Sequence, residues 1–147
     1  FGAVEMLQDD ASASVWAEVR DVEPFAAGGA RGLWPVWRIV CPPASGGTLG
    51  QALAQETGGE VIYDWGGGLI WAALPPKPDA QAARVRGRVE AAGGHATLIR
   101  AAEEVRRQLD VFQPQAAGLA ALAERVRQSF DPKGILNRSR MARGSVT

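Results

Sequence analysis

Apolar residues recur along this chain at two spacings, one typical of helices and one typical of strands. Four segments have an apolar residue at every third or fourth position, which predicts helices: residues 14–22, 48–55, 79–92 and 118–130. Four shorter segments are rich in β-branched and aromatic residues, which predicts strands: residues 33–41, 60–64, 69–74 and 95–99. Residues 103–109 predict a further short helix, and residues 1–12 are weakly patterned and predict a tail or linker.

The order of these segments predicts the fold. Between residues 33 and 99 they run strand, helix, strand, strand, helix, strand, which is the split βαβ or ferredoxin-like arrangement. The prediction is an α+β fold, a ferredoxin-like βαββαβ antiparallel sheet with helices on one face and extra helices at the termini. Residues 13–147 then form one domain. Since two helices cover one face of the sheet, the other face is predicted to be open.

Glycine, proline and capping residues mark the predicted boundaries. The triple glycine at residues 66–68 lies between two strands and predicts a hairpin turn whose glycines adopt positive φ angles. A phosphate-binding loop is the alternative, but such loops normally open a helix. Thr48 and Asp79 are predicted N-caps, and residues 131–134, DPKG, predict a turn.

The composition excludes several function classes. The 147 residues include 16 Lys and Arg against 16 Asp and Glu, which removes the usual electrostatic case for nucleic-acid binding. A single cysteine, Cys41, excludes an intrachain disulfide and a cysteine zinc site and fits a reducing cytosol. A single histidine, His95, excludes a multi-histidine metal site, and we predict no metal. No apolar run reaches the roughly 18–20 residues that span a membrane.

Arg38 and His95 are the polar residues most suggestive of a binding site. Arg38 lies within an apolar strand, so its charge must be neutralised or must face an open surface. Its guanidinium suits a carboxylate or a phosphate, and an exposed arginine with no ligand is the alternative. His95 follows two glycines at a strand start. It is either hydrogen-bonded to local backbone or presented at a pocket.

The chain has five tryptophans, most of which we expect in the core: Trp16, Trp34, Trp37, Trp65 and Trp71. Trp65 and Trp71 flank the predicted hairpin turn and alternatively contact another domain, because aromatic residues are enriched at interfaces. We expect Cys41 to be a small buried apolar residue.

The end of the chain carries a family-level motif. Residues 130–137, FDPKGILN, followed by Arg140-Met141, resemble the F-D-P-x-G-I-[LF]-N-P-G-[RK] ending of FAD-linked oxidases of the vanillyl-alcohol oxidase type. Arg138-Ser139 stands where that family has Pro-Gly, which leaves the flavin contacts of this ending open. Other segments resemble the FAD-binding subunits of bacterial glycolate oxidases: residues 33–39 (LWPVWRI) with Pro42-Pro43, residues 64–67 (DWGG), residues 93–100 (GGHATLIR), and Phe112 with Pro114.

The resemblance implies a two-domain protein with an N-terminal domain that binds FAD. The C-terminal domain, to which residues 13–141 correspond, then caps the isoalloxazine and closes the substrate site. The intact protein is expected to oxidise a 2-hydroxy acid to a 2-oxo acid by hydride transfer to flavin, and this chain alone is expected to be inactive and not to hold FAD. The chain begins without Met or a signal-peptide pattern, so we expect it to be a piece of a longer protein.

Candidate contacts follow from the resemblance together with the residue chemistry. Arg38, His95 and Asn137 are candidates for contact with substrate or cofactor, and the catalytic base is unassigned. The candidate inter-domain contacts are Trp65, Trp71, Thr97 and Arg100. The expected partners are the chain's own FAD domain, a second flavin subunit, an iron–sulfur subunit and a small 2-hydroxy acid. The expected location is the cytoplasm, peripheral to the inner membrane through partner subunits.

Two other function classes remain open from the sequence. One is a free-standing ferredoxin-like module that binds a small ligand or has a regulatory role and dimerises through its open sheet face. The other is a structural domain that docks subunits together without touching substrate.

Overall fold

A computed structural model describes residues 5–136. Within this range the chain forms five α-helices: α1 (Asp9–Asp21), α2 (Pro43–Thr57), α3 (Ala82–Ala91), α4 (Glu103–Gln108) and α5 (Ala117–Phe130). It also forms four strands: β1 (Val36–Val40), β2 (Glu60–Asp64), β3 (Leu69–Ala73) and β4 (His95–Arg100). Short 3₁₀ turns follow α1 at Glu23–Phe25 and β2 at Trp65–Gly67.

The four strands form one antiparallel sheet in the order β2-β3-β1-β4. With one helix after β1 and one after β3, this is the ferredoxin-like arrangement that the sequence predicts, and the α+β prediction is confirmed. The outer edge of β4 is paired in part by the segment that follows α4. There the Leu98 N–H donates to the Val111 carbonyl over 2.9 Å and Thr97 bridges to Phe112.

The main core lies between the sheet and helices α2 and α3. Its fully buried members come from three strands and both helices: Trp37, Ile39, Ile70, Leu98, Leu53, Val85 and Val89. Each such side chain stabilises the fold by about 1.5–3 kcal/mol when it leaves water. Trp37 also has its polar group satisfied, because its indole N–H donates to the Ala80 carbonyl over 3.1 Å.

Three helix starts differ from the prediction. Helix α2 begins at Pro43, so Thr48 lies inside the helix and its prediction as N-cap is wrong. Proline suits a first helical position because its missing N–H would have no intrahelical partner there. Helix α3 begins at Ala82 with Gln81 as its N-cap residue, and Asp79 instead accepts the Gln81 N–H over 2.9 Å in the preceding turn. Helix α1 begins at Asp9, inside the segment predicted as a tail.

The hairpin between β2 and β3 turns as predicted and packs closely against α2. Gly66 and Gly67 have φ angles of 61° and 95°, and Trp65 also lies in the left-handed region with φ 53°. A Cβ atom on Gly46 of α2 would lie 1.9 Å from the Gly67 carbonyl oxygen. The turn and the helix therefore touch backbone to backbone, which fixes the hairpin tip relative to the sheet.

Candidate functional site

The sheet face opposite α2 and α3, called the open face below, gathers most of the predicted site residues. Because alternate residues of a strand point to opposite faces, Arg38 lies on the face opposite to Trp37 and Ile39. The strand register places Arg38 between Trp71 on β3 and Thr97 on β4. His95 pairs with Val40, the next β1 residue on this face. Strands β1, β3 and β4 thus bring Arg38, Trp71, Thr97 and His95 together.

The chain itself covers one end of the open face. Phe25 is buried against Val36 and Ala73, with Val22, Trp34, Ile62 and Trp71 at the margin of this small second core. Arg100 fixes the covering segment, because its guanidinium donates to the carbonyls of Phe25 over 2.6 Å, Arg31 over 2.8 Å and Trp34 over 3.1 Å. The expectation of a wholly open face is therefore correct only for the part around Arg38, Val40 and His95.

A pocket of about 410 Å³ lies between this covering segment and the sheet. Its walls are mainly apolar, from Val22, Phe25, Ala26, Val36, Trp71 and Ile99, and Asp21 and Arg100 are its polar lining residues. A register shift in the β1–β4 pairing between Val36 and Trp37 lets Val36 pair with Arg100, so β4 has one extra residue, Ile99. The pocket was not predicted, since the sequence carries no local signal for the register shift.

Arg38 is half-buried on the open face and has an aromatic partner. Its guanidinium carbon lies 5.2 Å from the centroid of the Trp65 ring, within the range of a cation–π contact. No carboxylate of residues 5–136 lies within ion-pair distance of it. In contrast, Arg31 pairs with Glu60 and Arg88 pairs with Glu56. Arg38 can therefore bind an anion from outside the described chain.

Trp65 is held at the hairpin tip by two local hydrogen bonds. Its N–H donates to the Asp64 carboxylate over 2.7 Å, and its carbonyl accepts the Gly68 N–H over 3.1 Å. The indole remains 57% exposed. These bonds keep a tryptophan in a backbone conformation that favours glycine, and its ring lies beside Arg38.

His95 is exposed, and no hydrogen bond joins its imidazole to another residue of the described range. Within that range the structure therefore shows no bond from the imidazole to local backbone, and His95 is not a lining residue of the 410 Å³ pocket. Thr97 is half-buried beside Arg38. Asn137, the third candidate contact, and Arg138 to Met141 of the terminal motif lie outside the described residues.

The part of the terminal motif within the described range forms the predicted turn. The Gly134 N–H donates to the Asp131 carbonyl over 3.0 Å. The Asp131 carboxylate accepts the N–H of Leu136 over 2.8 Å and of Ile135 over 3.0 Å. The Leu136 hydrogen bond is the largest of several contacts that lower the pKa of this carboxyl, and Arg127 adds a favourable charge. Asp131 thereby orders the chain that leads towards Asn137.

The tryptophans divide between the two cores and the surface. Trp37 is fully buried in the main core, Trp34 and Trp71 are half-buried and pack against the second core, and Trp16 and Trp65 are exposed. Cys41 is buried as expected, and burial raises the pKa of its thiol. Exposed apolar residues also form a stripe on helix α5: Leu119, Leu122, Val126 and Phe130.

Comparison with known proteins gives one relationship. The chain is 31% identical over 106 residues to the glycolate oxidase subunit GlcE of Escherichia coli (strain K12). The chain is therefore similar to part of a glycolate oxidase subunit. The matched region covers 72% of this chain and 25% of GlcE, so the chain spans about a quarter of that relative's length. No protein-family model and no solved structure matches the chain.

This similarity supports the resemblance to a glycolate oxidase subunit that the sequence segments indicate. It does not test the individual roles of Arg38, His95 or Asn137. Within residues 5–136, no three His, Cys, Asp or Glu side chains are grouped so that they could hold a metal ion. None of the helices in the same range has both the length and the apolar character needed to cross a bilayer.

Proposed function

We propose that this chain is the substrate-side cap domain of an FAD-dependent glycolate or 2-hydroxy-acid oxidase subunit. In this proposal its open face packs over the flavin, which a separate N-terminal domain of the same polypeptide carries. The observation that carries the proposal is Arg38, a cation without a carboxylate partner among the described residues, flanked on the open face by Trp65, Trp71 and Thr97. The sequence relationship to a glycolate oxidase subunit supports the same assignment.

The described residues fit contact with a flavin ring but not with its pyrophosphate. Aromatic faces and an arginine suit a planar, electron-poor ring and a carboxylate bound next to it. The glycine-rich turn lies between strands, and its Gly67 backbone packs against Pro43 and Gly46 of α2. It therefore leaves no cradle of free N–H groups at a helix start, and the phosphates belong in the separate domain.

In the proposed reaction this chain binds and orients the acid. The chemistry that FAD supplies when bound is acceptance of the hydride from the substrate α-carbon, which leaves a 2-oxo acid and a proton from the hydroxyl group. Arg38 binds the substrate carboxylate with two parallel N–H···O bonds, and Thr97 offers a hydroxyl beside it. The covering segment and the two tryptophans exclude water from the reacting atoms. The base that takes the hydroxyl proton is not assigned to this chain.

The proposed partners are the FAD domain, a second flavin subunit and an iron–sulfur subunit. The exposed apolar stripe on α5 supports burial against another domain or subunit, because contiguous exposed apolar residues are typical of interaction surfaces. His95 and Asn137 remain proposed contacts with substrate or cofactor.

The first prediction concerns Arg38→Gln in the full-length protein, assembled with its other subunits. We expect KM for the 2-hydroxy acid to rise about 10- to 100-fold, because a charge-assisted hydrogen-bonded pair contributes about 1.5–3 kcal/mol. The flavin absorbance should not change. The matched control is Arg125→Gln, an exposed arginine on α5, which should leave KM unchanged.

An unchanged KM and an unchanged kcat in the Arg38→Gln enzyme would leave the chain only a docking role. A second measurement tests whether FAD binding depends on the separate domain. The purified 147-residue chain should show no flavin spectrum, and a visible flavin spectrum would contradict the placement of the pyrophosphate site in another domain.

A further inference from the structure

Arg38 does not line the 410 Å³ pocket, but two of its neighbours on the open face do. Trp71, its cross-strand partner, and Val36, two positions before it on β1, both line that pocket. Directly opposite residues of antiparallel strands have Cβ atoms about 4.5–5.5 Å apart. An anion-binding group and an apolar cavity are therefore contiguous on one surface of the sheet.

The pocket has walls held by the chain itself. Phe25 is buried, and the three hydrogen bonds of Arg100 hold the segment that carries it. The charges at this end of the sheet are already engaged, because Arg100 binds carbonyls and Asp21 pairs with Arg20. Arg38 is the cation here that has no acceptor among the described residues, so a ligand's carboxylate binds there and its apolar part faces Trp71.

We infer that the open face binds 2-hydroxy acids that carry a branched aliphatic side chain on the α-carbon. The carboxylate lies on Arg38 and the side chain enters the pocket beside Val36, Trp71 and Ile99. Glycolate has no side chain beyond its α-carbon and would leave this pocket empty. A volume of about 410 Å³ is within the roughly 300–1,000 Å³ typical of small-molecule sites. The inference rests on the proposed function for the 2-hydroxy group and on the pocket for the side chain.

The test uses the 147-residue chain and two probes, 2-hydroxy-4-methylpentanoate and glycolate. Nuclear magnetic resonance follows the indole N–H of Trp71, assigned with the Trp71→Phe variant, together with the side-chain N–H of Arg38. We expect the branched acid to shift both signals saturably. It should bind at least about tenfold more tightly than glycolate, since each buried methylene contributes about fourfold in affinity. Glycolate should shift the Arg38 signal and leave Trp71 nearly unchanged.

Two substitutions test the pocket and the anion-binding arginine separately. Ile99→Trp, at a partly exposed wall position, narrows the pocket beside Trp71 and should lower the affinity for the branched acid towards that for glycolate. Arg38→Gln should weaken the binding of both acids by about tenfold or more. Leu33→Trp, which adds the same side chain at a position that is 90% exposed and outside the pocket lining, should change neither affinity. Circular dichroism and thermal unfolding check that each variant is folded.

The outcomes distinguish this inference from the proposed function. Equal affinities for the two acids, or an unperturbed Trp71 indole at saturation, would overturn the pocket assignment even if the assembled enzyme oxidises glycolate. Tighter binding of the branched acid, lost in Ile99→Trp, supports the pocket. If the assembled enzyme then oxidised neither acid, the oxidase function would fail while the ligand site remained.

Discussion

At the scale of single residues, the site depends on the contact between Arg38 and Trp65. The guanidinium lies against an indole that is itself held in the left-handed backbone region at φ 53°. That conformation costs a non-glycine residue about 1–2 kcal/mol. Glycine would adopt this conformation without that cost, so substitution can separate the strain at this position from the contact of the indole with Arg38.

Replacing Trp65 with glycine separates strain from ligand binding. We expect Trp65→Gly to leave the free energy of unfolding within about 1 kcal/mol of the parent, because relief of strain offsets the lost packing of an exposed side chain and the flexibility of glycine. Carboxylate affinity should fall about two- to fivefold with the loss of the cation–π contact. Urea unfolding and ligand titration measure the two effects. Trp65→Phe, which keeps an aromatic face, should retain most of the affinity, and equal losses in both variants would argue against stacking.

The carboxyl group of Asp131 makes the stability of the terminal turn depend on pH. The Leu136 N–H and further hydrogen bonds lower the pKa of its carboxyl in the folded chain. Because the pKa of this carboxyl is lower in the folded chain than in the unfolded chain, the ionised Asp131 stabilises the turn fully above the unfolded pKa of about 3.9. This stabilisation is lost as the pH falls through the folded pKa. Below about pH 4, the amide protons of Ile135 and Leu136 should lose protection from hydrogen exchange before those of β1 do. In Asp131→Asn this step should be absent, and an unchanged acid profile in that variant would assign the effect elsewhere.

At the scale of elements, the sequence predicts which segments form helices and strands, and it places the starts of β2, β3, β4 and α4 correctly but not those of α1, α2 and α3. Hydroxyl side chains are common helix N-caps, so the sequence predicts Thr48 as the N-cap of α2. In the structure Pro43 occupies the first helical position instead. Proline after a strand is compatible with both a strand end and a helix start. Gly46, in the first turn of α2, lies against the hairpin turn, which is a long-range contact that local propensity does not contain.

Neighbouring glycines of α2 test that contact. Gly46→Ala places a Cβ against the Gly67 carbonyl oxygen, so we expect it to destabilise the chain by about 1–3 kcal/mol through overpacking. Gly47→Ala in the same helix meets nothing within 4 Å and should stabilise by about 0.5–1 kcal/mol through helix propensity. Urea unfolding of both variants gives the comparison. Equal effects of the two substitutions would mean that the turn moves freely away from α2.

At the scale of the whole molecule, strand order and a single open face could be predicted because alternation and element order determine them. The part of the site that sequence reasoning reached, Arg38 with His95 and Thr97, lies on regular strands where side-chain direction follows from position. The part that it missed, the pocket beneath Phe25 and Ile99, depends on a register shift and on a distant segment held by Arg100. Such contacts join residues far apart in sequence, and no local pattern encodes them.

The exposed apolar stripe of helix α5 predicts an interface with another domain or subunit. All residues of α5 are exposed, and its stripe includes Phe130 at 83% exposure. If another domain or subunit covers this stripe, Leu122→Glu should change the unfolding free energy of the 147-residue chain by less than about 0.5 kcal/mol, as exposed substitutions do. In the assembled full-length protein the same change should weaken association strongly, because it places a charge in an apolar interface. Ala121→Glu, beside the stripe, is the matched control and should be neutral in both. Full assembly of the Leu122→Glu protein, measured by analytical ultracentrifugation, would show that α5 is not part of the interface.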